Sequence, residues 1–140
     1  MNTVGKILMT VAIGIYSFIP PLADLATDTH VFHDGWMPHA RMHTVWLLGM
    51  TSSVGLLALY LLWGRKKDPS FNINFSFTLS ICVYGSFFLS AITTHLYGGA
   101  LSDEHGGVGH KMLGLDVNVI AFSLASLLLC IGWYLSKRAR

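Results

Sequence analysis

Hydrophobic and polar positions along this chain segregate into long blocks. Four apolar stretches, at about 4–22, 43–63, 71–97 and 112–135, are separated by short polar segments. Each is near or above the ~20 residues a helix needs to cross ~30 Å of hydrocarbon. With their flanks they predict helices over about 4–22, 38–63, 71–97 and 110–136, in one domain covering residues 1–140. No linker and no internal repeat interrupts them. Strands would leave backbone groups unpaired in lipid, and no alternating pattern of barrel strands is present. The reading is all-α: an integral membrane four-helix bundle.

The junctions refine it. The first stretch, with Lys6, an apolar run and Pro20-Pro21, has the outline of a signal peptide, but Asp24 spoils the small-x-small pattern before Ala26. It is expected to be a retained helix that ends at the two prolines, where a missing N–H and a ring clash stop propagation. Arg65-Lys66-Lys67-Asp68-Pro69 is a tight turn, making its flanking helices antiparallel neighbours. On the other side, residues 23–37 form a long loop. Residues 98–109, with five glycines, form a second that suits either a mobile lid or a plain connector. Ser76, Ser80, Ser86 and Ser90, with Gly85, predict a face of the third helix that packs within the bundle. Trp36, Trp46, Trp63, Trp133, Tyr97 and Tyr134 fall where an interfacial aromatic belt belongs.

Composition agrees. The chain is 53% hydrophobic and 11% charged, whereas soluble domains carry about 25% charged residues. Charge also sets orientation. Lys6, Arg65, Lys66, Lys67, Lys137, Arg138 and Arg140 flank one side of the spans, and Arg41 and Lys111 the other. Basic residues favour the cytoplasm, so both termini are expected there, with the opposite loops in the periplasm of a bacterial inner membrane or its topological equivalent. The net charge of +2 is thus a topology signal. No basic stripe with interleaved aromatics points to nucleic acid. Cys82 and Cys130 lie inside apolar stretches with no CxxC motif, which argues against a thiol oxidoreductase and implies no disulfide.

Candidate chemistry is one-sided. All seven histidines, His30, His33, His39, His43, His95, His105 and His110, fall on the side away from most lysines and arginines. Six of the seven acidic residues go with them. Imidazole is the commonest metal-binding side chain. Pro38 suits the first turn of a helix, which puts His39 and His43 one turn apart on one face. His95 closes the third predicted helix and His110 opens the fourth, with Asp116 expected about two turns deeper. Ionisable groups at such depth face an interior or a cavity. The preferred ligand set is His39, His43, His95 and His110, with His30 a close competitor. Asp116 is a candidate ligand, general base, orienting partner of a histidine or proton carrier. Arg41 is a candidate contact for a loop carboxylate, an anionic lipid or a substrate. Three or four imidazoles with a carboxylate suit a transition metal ion such as zinc, copper or iron. A haem fits less well, because the histidines sit close to the outer mouth.

The segment Thr29-His30 and then Trp36-Met37-Pro38-His39-Ala40-Arg41-Met42-His43 resembles a motif of small four-helix integral membrane proteins of unknown function. That pattern is Thr-His, a few residues, Trp-x-Pro-His-Ala, a basic residue, one more residue and His. The resemblance covers about fifteen residues and the helix layout, and implies that the histidine segment matters without implying an activity. Three functions stay open: a membrane-embedded metalloenzyme acting on a lipophilic substrate from the bilayer, a metal or proton transport or binding module, and a small structural subunit of a larger membrane complex or a homo-oligomer. No serine or cysteine nucleophile motif supplies a rival mechanism.

Overall fold

The computed structural model of the chain describes residues 2–28, 30–64, 67–102, 111–112 and 114–138. Helix α1 spans Thr3–Ala26 and α2 spans Pro38–Leu59, continued by a π-helical turn at Tyr60–Gly64. Helix α3 spans Pro69–Ile92, the single-turn α4 Thr94–Tyr97 and α5 Val117–Arg138. Before α5, β1 (Lys111–Met112) pairs antiparallel with β2 (Leu115–Asp116). Four helices are long and apolar enough to cross a membrane. Large apolar side chains such as Leu22, Trp46, Leu89, Ile92 and Leu124 stand exposed on their outer faces. Lipid is the solvent that makes such a surface stable, and the chain is an integral membrane protein.

Caps explain several boundaries. Asn2 Oδ1 accepts from Val4 N at 3.0 Å, and Asp68 Oδ1 accepts from Phe71 N at 3.0 Å. Both satisfy helix N-terminal donors that have no intrahelical partner. Pro38 and Pro69 each open a helix, where their missing N–H costs nothing.

Three boundaries differ from the sequence expectation. First, α1 does not stop at the prolines but runs through Pro20 and Pro21 to Ala26. Pro21 cannot donate to the Ser17 carbonyl, and Ser52 Oγ on α2 donates to that oxygen instead, at 2.8 Å. A neighbouring helix thus satisfies the group the proline frees, which is how transmembrane helices tolerate proline. Second, the third helix breaks at Thr93, whose φ of −105° and ψ of 8° separate α3 from α4. Third, the last helix begins at Val117 rather than near residue 110. Gly114, at φ 81°, turns the chain between β1 and β2, a conformation that glycine adopts without a Cβ penalty.

The helices form a ring in the order α2, α1, α5, α3, with α1 packed most extensively against α5 and α2. Close approach of α1 and α5 depends on glycine. A Cβ on Gly132 would lie 2.8 Å from Gly5 O and Met9 N, both backbone atoms. A Cβ on Gly55 of α2 would overlap the Ser17 side chain. The buried centre holds Met9, Ile13, Tyr16, Tyr84 and Leu129. Its polar groups are paired across helices: Tyr84 Oη donates to Ala12 O at 2.6 Å, Tyr16 Oη and Ser80 Oγ share a bond of 3.1 Å, and Ser76 Oγ donates to Ala58 O at 3.0 Å. The expected serine face of α3 is therefore only half right. Ser76 and Ser80 are fully buried, while Ser86 and Ser90 are exposed and a Cβ on Gly85 would meet nothing. Beyond Tyr84 no residue of α3 is buried, although Phe87 still stacks on Phe122 of α5 with centroids 4.1 Å apart.

The aromatic belt has polar partners at the end of the bundle bearing Lys6 and Lys137. Lys6 Nζ lies 4.2 Å over the Trp63 ring, Lys137 Nζ 4.5 Å over Trp133, and the Arg138 guanidinium 4.5 Å over Tyr134. Trp63 Nε1 donates to Thr10 Oγ1 at 2.7 Å, and Trp133 Nε1 to Asn74 Oδ1 at 2.9 Å. Cys82 and Cys130 are both free thiols on exposed faces.

Candidate functional site

The α1–α2 connection is held in place from below by α2. Its backbone makes two successive turns, His33 N to His30 O and Trp36 N to His33 O, each at 3.1 Å. Gly35 N donates to His33 Nδ1 at 3.1 Å. Arg41, one turn into α2, donates from Nη2 to His33 O at 2.8 Å and from Nε to Trp36 O at 3.1 Å. Charge-assisted bonds to carbonyls are among the stronger hydrogen bonds. Arg41 therefore folds the histidine segment onto the start of α2. Sequence reasoning cast it as a contact for a carboxylate, a lipid or a substrate. The structure places both described bonds of its guanidinium on the loop backbone.

That clamp leaves His39 and His43 exposed side by side on α2. Their Nε2 atoms are 3.0 Å apart and the rings meet edge to face, with centroids 4.5 Å apart. The expected four-residue spacing on one helical face is present. Two nitrogens bound to one ion at ~2.0–2.1 Å lie about 2.9–3.4 Å apart, depending on the coordination angle. The pair has the bite of a chelate, and without a metal the same distance is a shared hydrogen bond.

The described members of the rest of the expected ligand set, His30, His95 and Asp116, are not assembled around them. Among the described residues, no three His, Cys, Asp or Glu side chains are grouped to hold one ion. His95 is exposed on α4. His110 and His105 lie outside the described residues. Asp116 is not two turns down a helix. It is buried at the end of β2, just ahead of α5, where its Oδ1 accepts from Asn118 N at 2.8 Å. The helix start it caps replaces the deep position expected from a helix opening at residue 110.

His30 takes a different partner. Its Nδ1 lies 3.2 Å from Asp24 Oδ1, and its ring meets Trp36 edge to face with centroids 5.7 Å apart. Asp24 lies in the last turn of α1, and its side chain is only 19% exposed. The expected end of the helix at the prolines hid this residue, because a loop carboxylate has no reason to point into a bundle. Continuing α1 past Pro21 puts Tyr16, Pro20 and Asp24 on one face, four residues apart.

That face lines a cavity of about 500 Å³. Its other walls include Leu47, Thr51 and Val54 of α2, Val83 and Ser86 of α3, and Phe122 of α5. Leu47 and Thr51 follow His39 and His43 at successive four-residue steps, so the imidazole pair stands on the cavity-lining stripe of α2. The walls are almost wholly apolar, with Asp24 as the one carboxylate among them. Cys82 and Met50 line it and are also exposed, so it opens between α2 and α3 toward lipid.

The fold and this site define a class: a four-helix membrane protein with an imidazole pair one turn from an apolar, laterally open cleft. Comparison with protein-family models, with curated proteins and with solved structures gives no match to the chain.

Proposed function

We propose that this membrane protein binds a transition metal ion through His39 and His43 at the mouth of its cleft, and uses it as a metalloenzyme on a lipophilic substrate that arrives from the bilayer. One observation carries the reading: two exposed imidazoles with Nε2 atoms 3.0 Å apart, on the stripe of α2 that lines the cavity. Zinc, copper and iron all accept imidazole. A zinc ion with an open position would lower the pKa of bound water to about 7, and a redox metal would open oxygen chemistry. In this reading Asp24 and His30 face the substrate, and Arg41 keeps the histidine segment over it. The uneven distribution of lysine and arginine supports an orientation with this mouth in the periplasm of a bacterial inner membrane.

Metal content of untagged protein, purified without chelator and read by mass spectrometry and absorption, tests it. Stoichiometric metal is expected, lost in His39→Ala/His43→Ala while the helical fold persists. Single His95→Ala and His110→Ala variants report whether further imidazoles contribute. Bound metal should also fall on acidification, because ligating imidazoles must be neutral. A folded protein that takes up no added zinc, copper or iron would sink the metal reading and favour a structural subunit. Orientation is checked separately by labelling Lys67→Cys from either side of a sealed membrane.

A further inference from the structure

We propose that the cleft between α2 and α3 is a binding site for a lipophilic amine, with its ammonium at the Asp24 carboxylate and its apolar body between Val54, Val83, Phe87 and Phe122. This rests on the metalloenzyme reading and deepens it by naming the substrate class, but occupancy of the cleft can be measured with no metal present.

The cavity, about 500 Å³ in volume, falls within the range of small-molecule sites. Its walls are mostly apolar and its opening faces lipid, so the entrant is lipophilic. Tyr16, Asp24, Thr51, Ser86 and Ser90 line it at several places. What they can offer a ligand depends on where their protons go. Thr51 Oγ1 donates to Leu47 O and Leu48 O, each at 3.0 Å, and Ser86 Oγ donates to Cys82 O at 2.8 Å. Ser80 Oγ donates to Ser76 O at 2.8 Å, so it accepts in its 3.1 Å bond with Tyr16, and the Tyr16 proton is spent there. Each of these three wall hydroxyls has committed its hydrogen and keeps only lone pairs. An ionised carboxylate also accepts only. Asp24 Oδ1 meets His30 Nδ1 at 3.2 Å, and no other partner of that carboxylate stands among the described residues. The Ser90 hydroxyl, with no bond among the described residues, can turn its oxygen to a donor.

The cleft thus presents acceptors at several points and few donors. An ammonium, with three donors, no acceptor and a charge opposite to that of Asp24, is the complementary head group. A fatty acid or a phosphate head would bring like charge to Asp24. An alcohol would find few donors for its lone pairs. Depth agrees, since Asp24 is in the last turn of α1, near where a helix of this length leaves the hydrocarbon. A charged head there leaves the apolar tail to fill the cleft beneath.

The test uses three photoreactive probes with one tail: diazirine-bearing hexadecylamine, hexadecanol and palmitic acid. The full chain is reconstituted into phosphatidylcholine vesicles with chelator present, illuminated, and mapped by mass spectrometry. Label on the cleft residues is divided by label on Leu124 and Leu127, which are exposed on α5 and outside the cleft, so each probe is corrected for its level in the bilayer. The amine is expected to exceed the alcohol about tenfold in this ratio, the difference between a charge-assisted and a neutral hydrogen bond, and to exceed the acid by more. Unlabelled hexadecylamine should compete. Asp24→Asn keeps the shape and removes the charge, and should reduce the preference to about twofold or less, whereas Asp24→Glu should retain it. Val54→Trp and Ser86→Trp fill the cleft from opposite walls, and each should abolish competable labelling. Thermal melts identify any variant that fails to fold, and two filling variants on different helices guard against that loss. Equal ratios for all three probes would mean that bulk lipid fills the cleft and would overturn the proposal. So would a preference for the alcohol or the acid, or an amine preference that survives in Asp24→Asn. Metal bound by His39 and His43 without amine selectivity would remove only this inference, and amine selectivity in a protein that takes up no metal would remove only the metalloenzyme reading.

Discussion

At the end of the bundle that carries Lys6, Lys67 and Lys137, helix backbones touch. Toward the end that carries His39 and His43, α2 and α3 leave a cleft between them. In the first region, Gly5 meets Gly132 and Ser136, and Ser76 reaches across to the Ala58 carbonyl. In the second, α3 buries nothing past Tyr84, and a cavity of about 500 Å³ opens between α2 and α3. Lipid tails are as apolar as leucine, so helices in a bilayer associate through close packing and interhelical hydrogen bonds. Where small residues supply both, the bundle is sealed. Where Ser86, Ser90 and Gly85 of α3 instead stand exposed, a cleft remains, and Leu47 of its wall lies one turn below His43. The packed half holds the helices together, and the open half is available for a ligand.

The contrast can be broken most sharply at the glycines of the sealed half. Gly132→Ala sets a methyl 2.8 Å from two backbone atoms of α1, which cannot swing aside as a side chain would. A loss of about 1–3 kcal/mol is expected from such overpacking, read from denaturation in detergent. Arg41→Ala should come next. It removes two hydrogen bonds from a charged donor to the loop carbonyls, each of a type contributing about 1.5–3 kcal/mol. Because the loop lies outside the bundle, the expected outcome is faster amide exchange over residues 30–36 and weaker metal binding, with little change in global melting. A melting temperature that collapses along with the loop would show that the two regions are one cooperative unit.

Ser52→Ala should have a smaller effect, because it leaves the Ser17 carbonyl without the donor that replaces the Pro21 N–H. Interhelical bonds of this kind average about 0.6 kcal/mol in membranes. The same substitution made together with Pro21→Ala should cost less still, since the backbone N–H returns. A double-mutant cycle with no coupling between the two positions would refute that account of the prolines. The smallest effect belongs to Gly85→Ala in the open half. No atom stands within 4 Å of the added methyl, so the change should be neutral or stabilising by up to about 1 kcal/mol through helix propensity. Destabilisation there comparable to Gly132→Ala would mean that α3 packs closely along its whole length.

The sequence revealed much of the frame and less of the site. The four spans and the openings of α2 at Pro38 and α3 at Pro69 were legible because long apolar runs and capping prolines act locally. The one-turn relation of His39 to His43 was legible for the same reason, since helical periodicity alone brings them together. The continuation of α1 through Pro20-Pro21 was not, because the donor that permits it sits 35 positions away on another helix. Asp116 was misplaced because Lys111–Met112 and Leu115–Asp116, read as helix, instead form two short paired strands, whose pairing of Lys111 with Asp116 leaves no periodic trace. The second half of α3 looked as packable as the first, with Ser86 and Ser90 matching Ser76 and Ser80 in composition.

Hydrophobic length determined by itself that this chain is a membrane bundle, and local spacing determined that two imidazoles share a helix face. Tertiary structure decided that Asp24 pairs with His30, that Arg41 serves the loop backbone, and that the face below His43 borders a cleft instead of a seam. The physical reason is range: bilayer thickness and helical pitch act on neighbours in the chain, whereas hydrogen bonds and packing between helices depend on residues far apart in sequence meeting at one depth.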